Sequence, residues 1–138
     1  MAGKTDPAPE CYVDTSALIA FLDRSDSYHP LFRRLFSNPP RLATSALVIA
    51  EGHGWFLRRY DVRRAIEFLN FVEELPRLKV ETFGAEEARK TRPLLSRFAD
   101  QELTLADAHG LLVMRDRRIT VCWSTDRHLA LTGATLIR

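Results

Sequence analysis

The stretch Cys-Tyr-Val-Asp-Thr-Ser-Ala-Leu-Ile-Ala-Phe-Leu, residues 11–22, joins a short apolar strand directly to an apolar helix. Asp14, Thr15 and Ser16 stand at the junction, and all three are residue types that cap helix N-termini. Strands that pass straight into helices are typical of α/β folds, whose ligands bind beyond the carboxyl ends of the strands. Asp14 is therefore either a helix cap or a functional acid.

The rest of the chain continues this alternation of strands and helices. Apolar runs and period-2 patterns predict strands at residues 42–43, 78–82, 119–123 and 134–137. Apolar spacing and capping residues predict helices over residues 28–36, from Thr44 or Ser45 to about Tyr60, and over 62–74, 85–98 and 105–117. This order predicts an α/β fold with a central, mostly parallel sheet covered by helices on both faces.

Length and composition are those of an ordinary globular protein. With 138 residues, 46% of them hydrophobic and 28% charged, the chain fits one domain. No apolar run approaches the roughly 18 residues of a membrane span, and the first residues lack the apolar core of a signal peptide. We expect a flexible tail at residues 1–9, one domain at 10–138, no membrane contact and a cytoplasmic protein. Cys11 and Cys122 lie in apolar stretches, which is typical of buried thiols in a reducing compartment.

Two acids in the last third of the chain stand in positions like that of Asp14. Asp126 closely follows the strand predicted at residues 119–123, and it could equally cap a short helix. Asp107 has the capping-box spacing with Thr104, in which the acid reaches back to the backbone N–H of the cap residue. Each acid therefore has a structural explanation as well as a functional one.

Glu51 is harder to explain by local structure. On its predicted helix the neighbouring positions Leu47, Val48 and Trp55 are all apolar, which predicts that this carboxylate lies on a face towards the core. A buried carboxylate is costly unless something pairs with it. Either an arginine or a bound cation would offset that cost.

Convergence of these acids would favour a metal ion. Two carboxylates about 5 Å apart repel by roughly 3 kcal/mol at an effective dielectric near 20, so a group of four takes up protons or holds a cation. Oxygen ligands select a hard cation such as Mg²⁺ or Mn²⁺, and the sequence has no His/Cys spacing for zinc. His53 and His109 each follow a site acid by two residues, a helical spacing that points them away, and we expect both to be ordinary, partly exposed histidines.

At these acids the chain resembles the PIN-domain family, and in particular the VapC-type toxins of bacterial toxin–antitoxin pairs. The segments that carry the resemblance are Tyr-Val-Asp14-Thr-Ser-Ala-Leu-Ile, Thr-Ser-Ala-Leu-Val-Ile-Ala-Glu51, Leu-Thr-Leu-Ala-Asp107-Ala and Trp-Ser-Thr-Asp126-Arg-His-Leu. Each segment alone is weakly specific, but the four in order on an α/β pattern outweigh four separate helix caps. The resemblance extends from about residue 11 to the end of the chain.

The resemblance implies a PIN-like three-layer α/β/α fold and a Mg²⁺- or Mn²⁺-dependent endoribonuclease that leaves a 5′-phosphate. It implies that Asp14, Glu51 and Asp107 are metal ligands and that Asp126 is a further ligand or positions water. The residues expected to support them by hydrogen bonds are Thr15, Ser16 and Ser124.

Two features depart from the family pattern. About ten residues precede the first strand, and two glycines, Gly52 and Gly54, follow Glu51 inside its predicted helix. Each glycine costs that helix about 1 kcal/mol against alanine, so they either permit close packing or mark an earlier helix end.

Arginine dominates the basic residues, which suits a polyanionic partner. Of the 20 Lys and Arg residues only Lys4, Lys79 and Lys90 are lysine, and the formal net charge is +2. The arginine fork grips phosphate oxygens bidentately, although a GC-rich genome would produce the same bias. The arginines that could face RNA, or simply be solvated at helix ends, are Arg58, Arg59, Arg63, Arg64, Arg115, Arg117 and Arg118.

The expected partners follow from the resemblance: an RNA substrate, a cognate antitoxin protein and a second copy of the chain in a homodimer. Three alternatives stay open at this point. One is a PIN module that binds RNA or protein without catalysis, and another is a PIN nuclease with a housekeeping role. The third, an α/β domain with a nucleophilic aspartate, fits poorly because it needs a second acid and a well-placed lysine.

Overall fold

Five short parallel strands form the centre of the molecule. A computed structural model describes residues 9–138, so the tail predicted at residues 1–9 lies, apart from Pro9, outside the described residues. The strands are β1 (Cys11–Val13), β2 (Leu42–Ser45), β3 (Leu78–Glu81), β4 (Val121–Trp123) and β5 (Thr135–Ile137). They lie in the order β3-β2-β1-β4-β5, and every neighbouring pair is parallel. The predicted parallel sheet is confirmed.

Two helices follow each of the first three strands along the described chain. They are α1 (Thr15–Leu22), α2 (His29–Ser37), α3 (Ala46–Arg59), α4 (Val62–Glu74), α5 (Ala85–Arg97) and α6 (Leu105–Arg117). Short 3₁₀ turns, Ala99–Gln101 and Arg127–Ala130, follow α5 and β4. The bounds predicted for α4 and α6 agree in full with the structure. Within residues 9–138 none of the helices has the length and apolar character needed to cross a membrane.

Side chains alternate across the sheet and divide the interior into two cores. Val13 and Trp123 face a core completed by α1, α2, α3 and α4. Tyr12 and Cys122 face the opposite core, which α5 and α6 complete. The result is the three-layer α/β/α arrangement that the sequence predicts, and both cysteines, Cys11 and Cys122, are buried free thiols.

The contact between α3 and α4 explains one of the two glycines that follow Glu51. A Cβ atom at Gly52 would lie 2.1 Å from Cζ of Phe68 on α4, so only glycine lets the helices approach this closely. A Cβ atom at Gly54 would meet only the far end of the flexible Arg58 side chain, at 3.0 Å. The helix continues to Arg59, so close packing at Gly52, and not an early helix end, is the correct explanation.

The order of the strands places a crevice beside β1. From β1 the chain moves to β2 on one side, and it later returns to add β4 on the other side. Such a switch in strand order opens a crevice beyond the carboxyl ends of β1 and β4. Asp14 follows β1 and Ser124 follows β4, so both residues stand at this crevice.

Candidate active site

One cleft at the carboxyl ends of β1 and β4 brings together all four acids that the sequence singles out. Its lining residues come from α1, α3, α6 and the segment after β4; they are Asp14, Thr15, Ser16, Ile19, Glu51, Trp55, Arg58, Thr104, Asp107 and Asp126. The cleft thus combines four carboxylates with one arginine and one apolar wall.

Asp14 is the most deeply buried of these acids, at 7% exposure. It occupies the N-cap position of α1, yet its side chain makes no capping hydrogen bond to the described residues of that helix. Its Oδ2 instead accepts hydrogen bonds from Ser124 Oγ at 2.8 Å and Ser16 Oγ at 3.3 Å. Burial raises the pKa of Asp14 to about 6, against the lowering effect of hydrogen bonds from Ser124 and the Thr15 backbone, and the nearby carboxylates of Asp107 and Asp126 raise it further.

Ser16 and Ser124 connect Asp14 to the segment after β4. Ser124 Oγ accepts from the backbone N–H of Asp126 at 2.9 Å while it donates to Asp14. Ser16 Oγ accepts from the backbone N–H of Thr125 at 3.0 Å. These hydrogen bonds fix the segment that carries Asp126 beside Asp14.

Asp107 lies in the cleft and caps α6 at the same time. Its Oδ2 accepts from the backbone N–H of Thr104 at 3.0 Å, and its own N–H donates to Thr104 Oγ1 at 3.1 Å. This is the capping box that the spacing predicts. The structural and functional explanations of Asp107 are therefore compatible, because the cap holds a carboxylate with 11% side-chain exposure at the wall of the cleft.

The expectation that Glu51 lies on a core-facing stripe is wrong. Glu51 is exposed, and the core-facing residues of α3 are Val48, Gly52 and Phe56, which lie on the neighbouring face of the helix. Within residues 9–138 no buried arginine pairs with Glu51. Its Oε1 accepts a 2.7 Å hydrogen bond from Thr15 Oγ1, which holds the carboxylate towards the cleft.

His128, which is not among the residues predicted for the site, joins the acids in the cleft. Its Nδ1 lies 3.1 Å from Oδ1 of Asp126 and 3.8 Å from Oδ2 of Asp107. One ligand atom from each of these three residues lies within 4.8 Å of the other two. Asp126 brings the ring there by capping the 3₁₀ turn, since its Oδ1 accepts from the backbone N–H of His128 at 2.9 Å. The signal in the sequence is the Asp-Arg-His spacing at the start of such a turn.

This donor set suits a divalent cation. Ligands that bind one Mg²⁺ at about 2.1 Å lie about 3 Å apart when adjacent and about 4 Å apart when opposite. The separations around His128, Asp107 and Asp126 fall in that range. Asp14 stands close enough to Asp107 and Asp126 for their charges to raise its pKa, and a cation would relieve that repulsion.

A family model described as the PIN domain matches residues 11–134. The chain belongs to the PIN-domain family. The predicted resemblance is thereby confirmed.

Solved structures extend the comparison to toxins. Mycobacterium tuberculosis VapC20, described as a sarcin–ricin loop cleaving toxin, is 26% identical with a TM-score of 0.83, over 93% of this chain and 98% of that one. A toxin–antitoxin complex from Klebsiella pneumoniae is 15% identical with a TM-score of 0.60, over 93% and 96%, and at that identity it shows the fold alone. No curated protein matches the sequence. The family and the VapC20 likeness support a nuclease of the VapC type.

His109 is buried, contrary to the expectation that it is partly exposed. His109 is only 2% exposed. Its side chain packs edge-on against Phe83, and its Nδ1 lies 2.6 Å from Ser45 Oγ. Burial lowers the pKa of His109. The residue does point away from the cleft, as its spacing from Asp107 predicts, and His53 is partly exposed as expected.

The arginines predicted to face RNA are distributed over several surfaces of this PIN domain. Arg58 lines the cleft. Arg64 stacks on Tyr60 at 4.5 Å and donates to Leu22 O, and Arg117 pairs with Glu10 at 2.7 Å and with Glu81. The remaining arginines of the set are Arg59 beside Tyr60, Arg63 paired with Glu67, Arg115 paired with Asp116, and Arg118 at the C-cap of α6. Arg58 is thus the member of the set placed beside the carboxylates.

Proposed function

We propose that this PIN domain is a Mg²⁺- or Mn²⁺-dependent endoribonuclease that hydrolyses RNA phosphodiester bonds, and that it is the toxin of a VapBC-type pair. The observation that carries the proposal is the convergence of Asp14, Asp107 and Asp126 with Glu51 in one cleft at the β1–β4 switch. Four carboxylates repel an anionic phosphodiester, so the cleft handles such a substrate only with a cation between them. When bound, the cation supplies a Lewis acid and an activated water.

The chain's own residues prepare the cleft for that chemistry. Asp14, Glu51 and Asp107 would hold the cation directly or through water, and Asp126 would be a further ligand or would position the attacking water. Ser124 fixes Asp14, and Thr15 fixes Glu51, so neither carboxylate has to be ordered when substrate binds. Preorganised carboxylates of this kind lower the cost of reaching the transition state.

RNA is the substrate that the cleft walls support. Arg58 and Trp55 lie on the same side of the cleft as Glu51, where a guanidinium can bind a phosphate and an indole can stack on a base. The VapC20 structure is described as a toxin that cleaves the sarcin–ricin loop. We therefore propose RNA as the substrate class and the sarcin–ricin hairpin as the first RNA to test.

The test is cleavage of that hairpin by the purified protein in Mg²⁺, in Mn²⁺ and in EDTA, beside its DNA counterpart and a phosphomonoester. We expect RNA to be cut only with metal, to leave a 5′-phosphate, and Arg58→Ala to raise KM more than it lowers kcat. RNA that binds without being cut would favour a module that is not catalytic. Hydrolysis of the phosphomonoester alone would indicate a phosphatase.

An antitoxin would silence the enzyme by placing an arginine among the carboxylates, where it replaces the cation. We expect expression alone to slow growth and the neighbouring small open reading frame to restore it, whereas Asp14→Asn is harmless alone. Normal growth with abundant active protein would favour a housekeeping nuclease instead.

The chain would act in the cytoplasm as a homodimer. Light scattering after size exclusion measures this oligomeric state.

A further inference from the structure

His128 places a ring nitrogen among the carboxylates of the cleft, and a metal site made of the four acids alone gives this nitrogen no role. Its side chain is 27% exposed, and its Nδ1 faces two carboxylates of the cleft, Asp126 at 3.1 Å and Asp107 at 3.8 Å. The backbone N–H of His128 also donates a hydrogen bond to Asp126, so the capped turn holds the backbone of His128 beside this carboxylate. The imidazole nitrogen therefore faces two of the carboxylates that the proposed function assigns to the cation site.

We propose that His128 is a nitrogen ligand of this cation and makes the site prefer Mn²⁺ to Mg²⁺. The inference rests on the proposed metal site, and it adds one residue and a metal preference to it. Among the described residues, Asp107, Asp126 and His128 form the group whose ligand atoms all lie within 4.8 Å of one another. The separations of 3.1 and 3.8 Å are those of ligands around one ion with bonds of about 2.1 Å.

Donor chemistry gives the metal preference. Mg²⁺ binds oxygen and releases its water reluctantly. Mn²⁺ is the weakest binder among the first-row transition metals, but it accepts a nitrogen ligand more readily than Mg²⁺ does. A site built only of carboxylates would hold both ions with little discrimination. Replacing one oxygen donor by the His128 nitrogen favours Mn²⁺, and the two carboxylates still balance its charge.

A competing explanation gives His128 a purely structural role. In that account Nδ1–H donates a hydrogen bond to Asp126 and orients that carboxylate, while the cation touches oxygen alone. The two accounts make different predictions for Mn²⁺ bound to the protein, because only direct coordination couples the electron spin of the ion to a histidine nitrogen.

The test is electron spin echo spectroscopy of Mn²⁺ added to the full-length protein, together with Mn²⁺ and Mg²⁺ titrations. His128→Asn places an amide oxygen near the position of Nδ1, and His53→Asn on α3 is the matched control. We expect wild type and His53→Asn to show histidine nitrogen coupling that changes on ¹⁵N-histidine labelling. His128→Asn should lose it, bind Mn²⁺ about tenfold or more weakly and keep its Mg²⁺ affinity.

Mn²⁺ that binds wild type without nitrogen coupling would overturn the role of His128 and leave the proposed nuclease intact. Coupling that persists in His128→Asn would overturn it as well. A protein that binds neither ion, but still cuts RNA, would refute the metal site itself. RNA cleavage, measured separately on the same samples, distinguishes these failures.

Discussion

Replacing Asp14 by asparagine should stabilise the metal-free protein, and the effect should depend on pH. The pKa of Asp14 is about 6 in the folded protein against an ordinary value of 3.8, chiefly because the carboxyl group is buried. Between these two pH values the folded protein retains a proton that the unfolded chain has lost, so stability falls as the pH rises through that window. The full penalty, reached above about pH 6, is roughly 3 kcal/mol.

The asparagine side chain of the Asp14→Asn variant is uncharged at every pH, and its amide oxygen can still accept the hydrogen bond of Ser124. In EDTA near pH 7.5 we expect Asp14→Asn to raise the free energy of unfolding by up to about 3 kcal/mol, and near pH 4 by only about 0.5 kcal/mol. Urea unfolding followed by circular dichroism measures both values. The exposed Asp100, changed to Asn, is the control for loss of one negative charge.

Metal should cancel most of this difference in stability. A cation that binds only the folded protein adds about 2.7 kcal/mol at a hundred times its Kd. We expect Mn²⁺ to raise the stability of wild type and to change that of Asp14→Asn much less. A stability gain that is the same at both pH values, or a loss of stability near pH 7.5, would refute the assignment of a buried, repelled carboxylate.

Three further predictions concern single residues. Gly52→Ala should lower the free energy of unfolding by about 1–3 kcal/mol, because its Cβ would overlap Phe68, whereas Gly54→Ala should raise it by up to about 1 kcal/mol; equal effects would contradict the packing. Tyr12→Phe should raise the free energy of unfolding by about 1 kcal/mol, since the buried hydroxyl has no hydrogen-bond partner among the described residues. A clear decrease in the free energy of unfolding would show that the hydroxyl does have a partner. Mn²⁺ should raise the melting temperature of wild type more than that of Glu51→Gln, and equal shifts would remove Glu51 from the metal site.

The fold was predictable because local signals and the overall topology agree. The strand at residues 11–13 is apolar throughout and passes into a helix, and α4 lies between Asp61, which caps it, and Pro76. Repeated strand–helix units leave a parallel sheet as the arrangement that buries both faces. The crevice beyond Asp14 then follows from the topology alone.

The errors at the site arise where side-chain direction depends on neighbouring elements. Glu51 has apolar neighbours along α3, but the packing of α4 on Gly52 turns the adjacent face inward and leaves Glu51 at the cleft. His109 is buried because Phe83 and Ser45 cover it, and both are distant from it in sequence. Helical spacing cannot place His128 beside Asp126, because it separates residues i and i+2, whereas the capped turn brings these two residues together.

The most direct test of the central claim is RNA cleavage by wild type and Asp107→Asn under single-turnover conditions, with Mn²⁺ and with EDTA. Asparagine keeps an oxygen for the capping box with Thr104, so circular dichroism should show an unchanged fold. We predict metal-dependent cleavage by wild type and by the control Asp100→Asn, and a rate at least about 100-fold lower for Asp107→Asn. Cleavage by Asp107→Asn at the wild-type rate, or cleavage by wild type that persists in EDTA, would contradict a metal-dependent nuclease in this cleft.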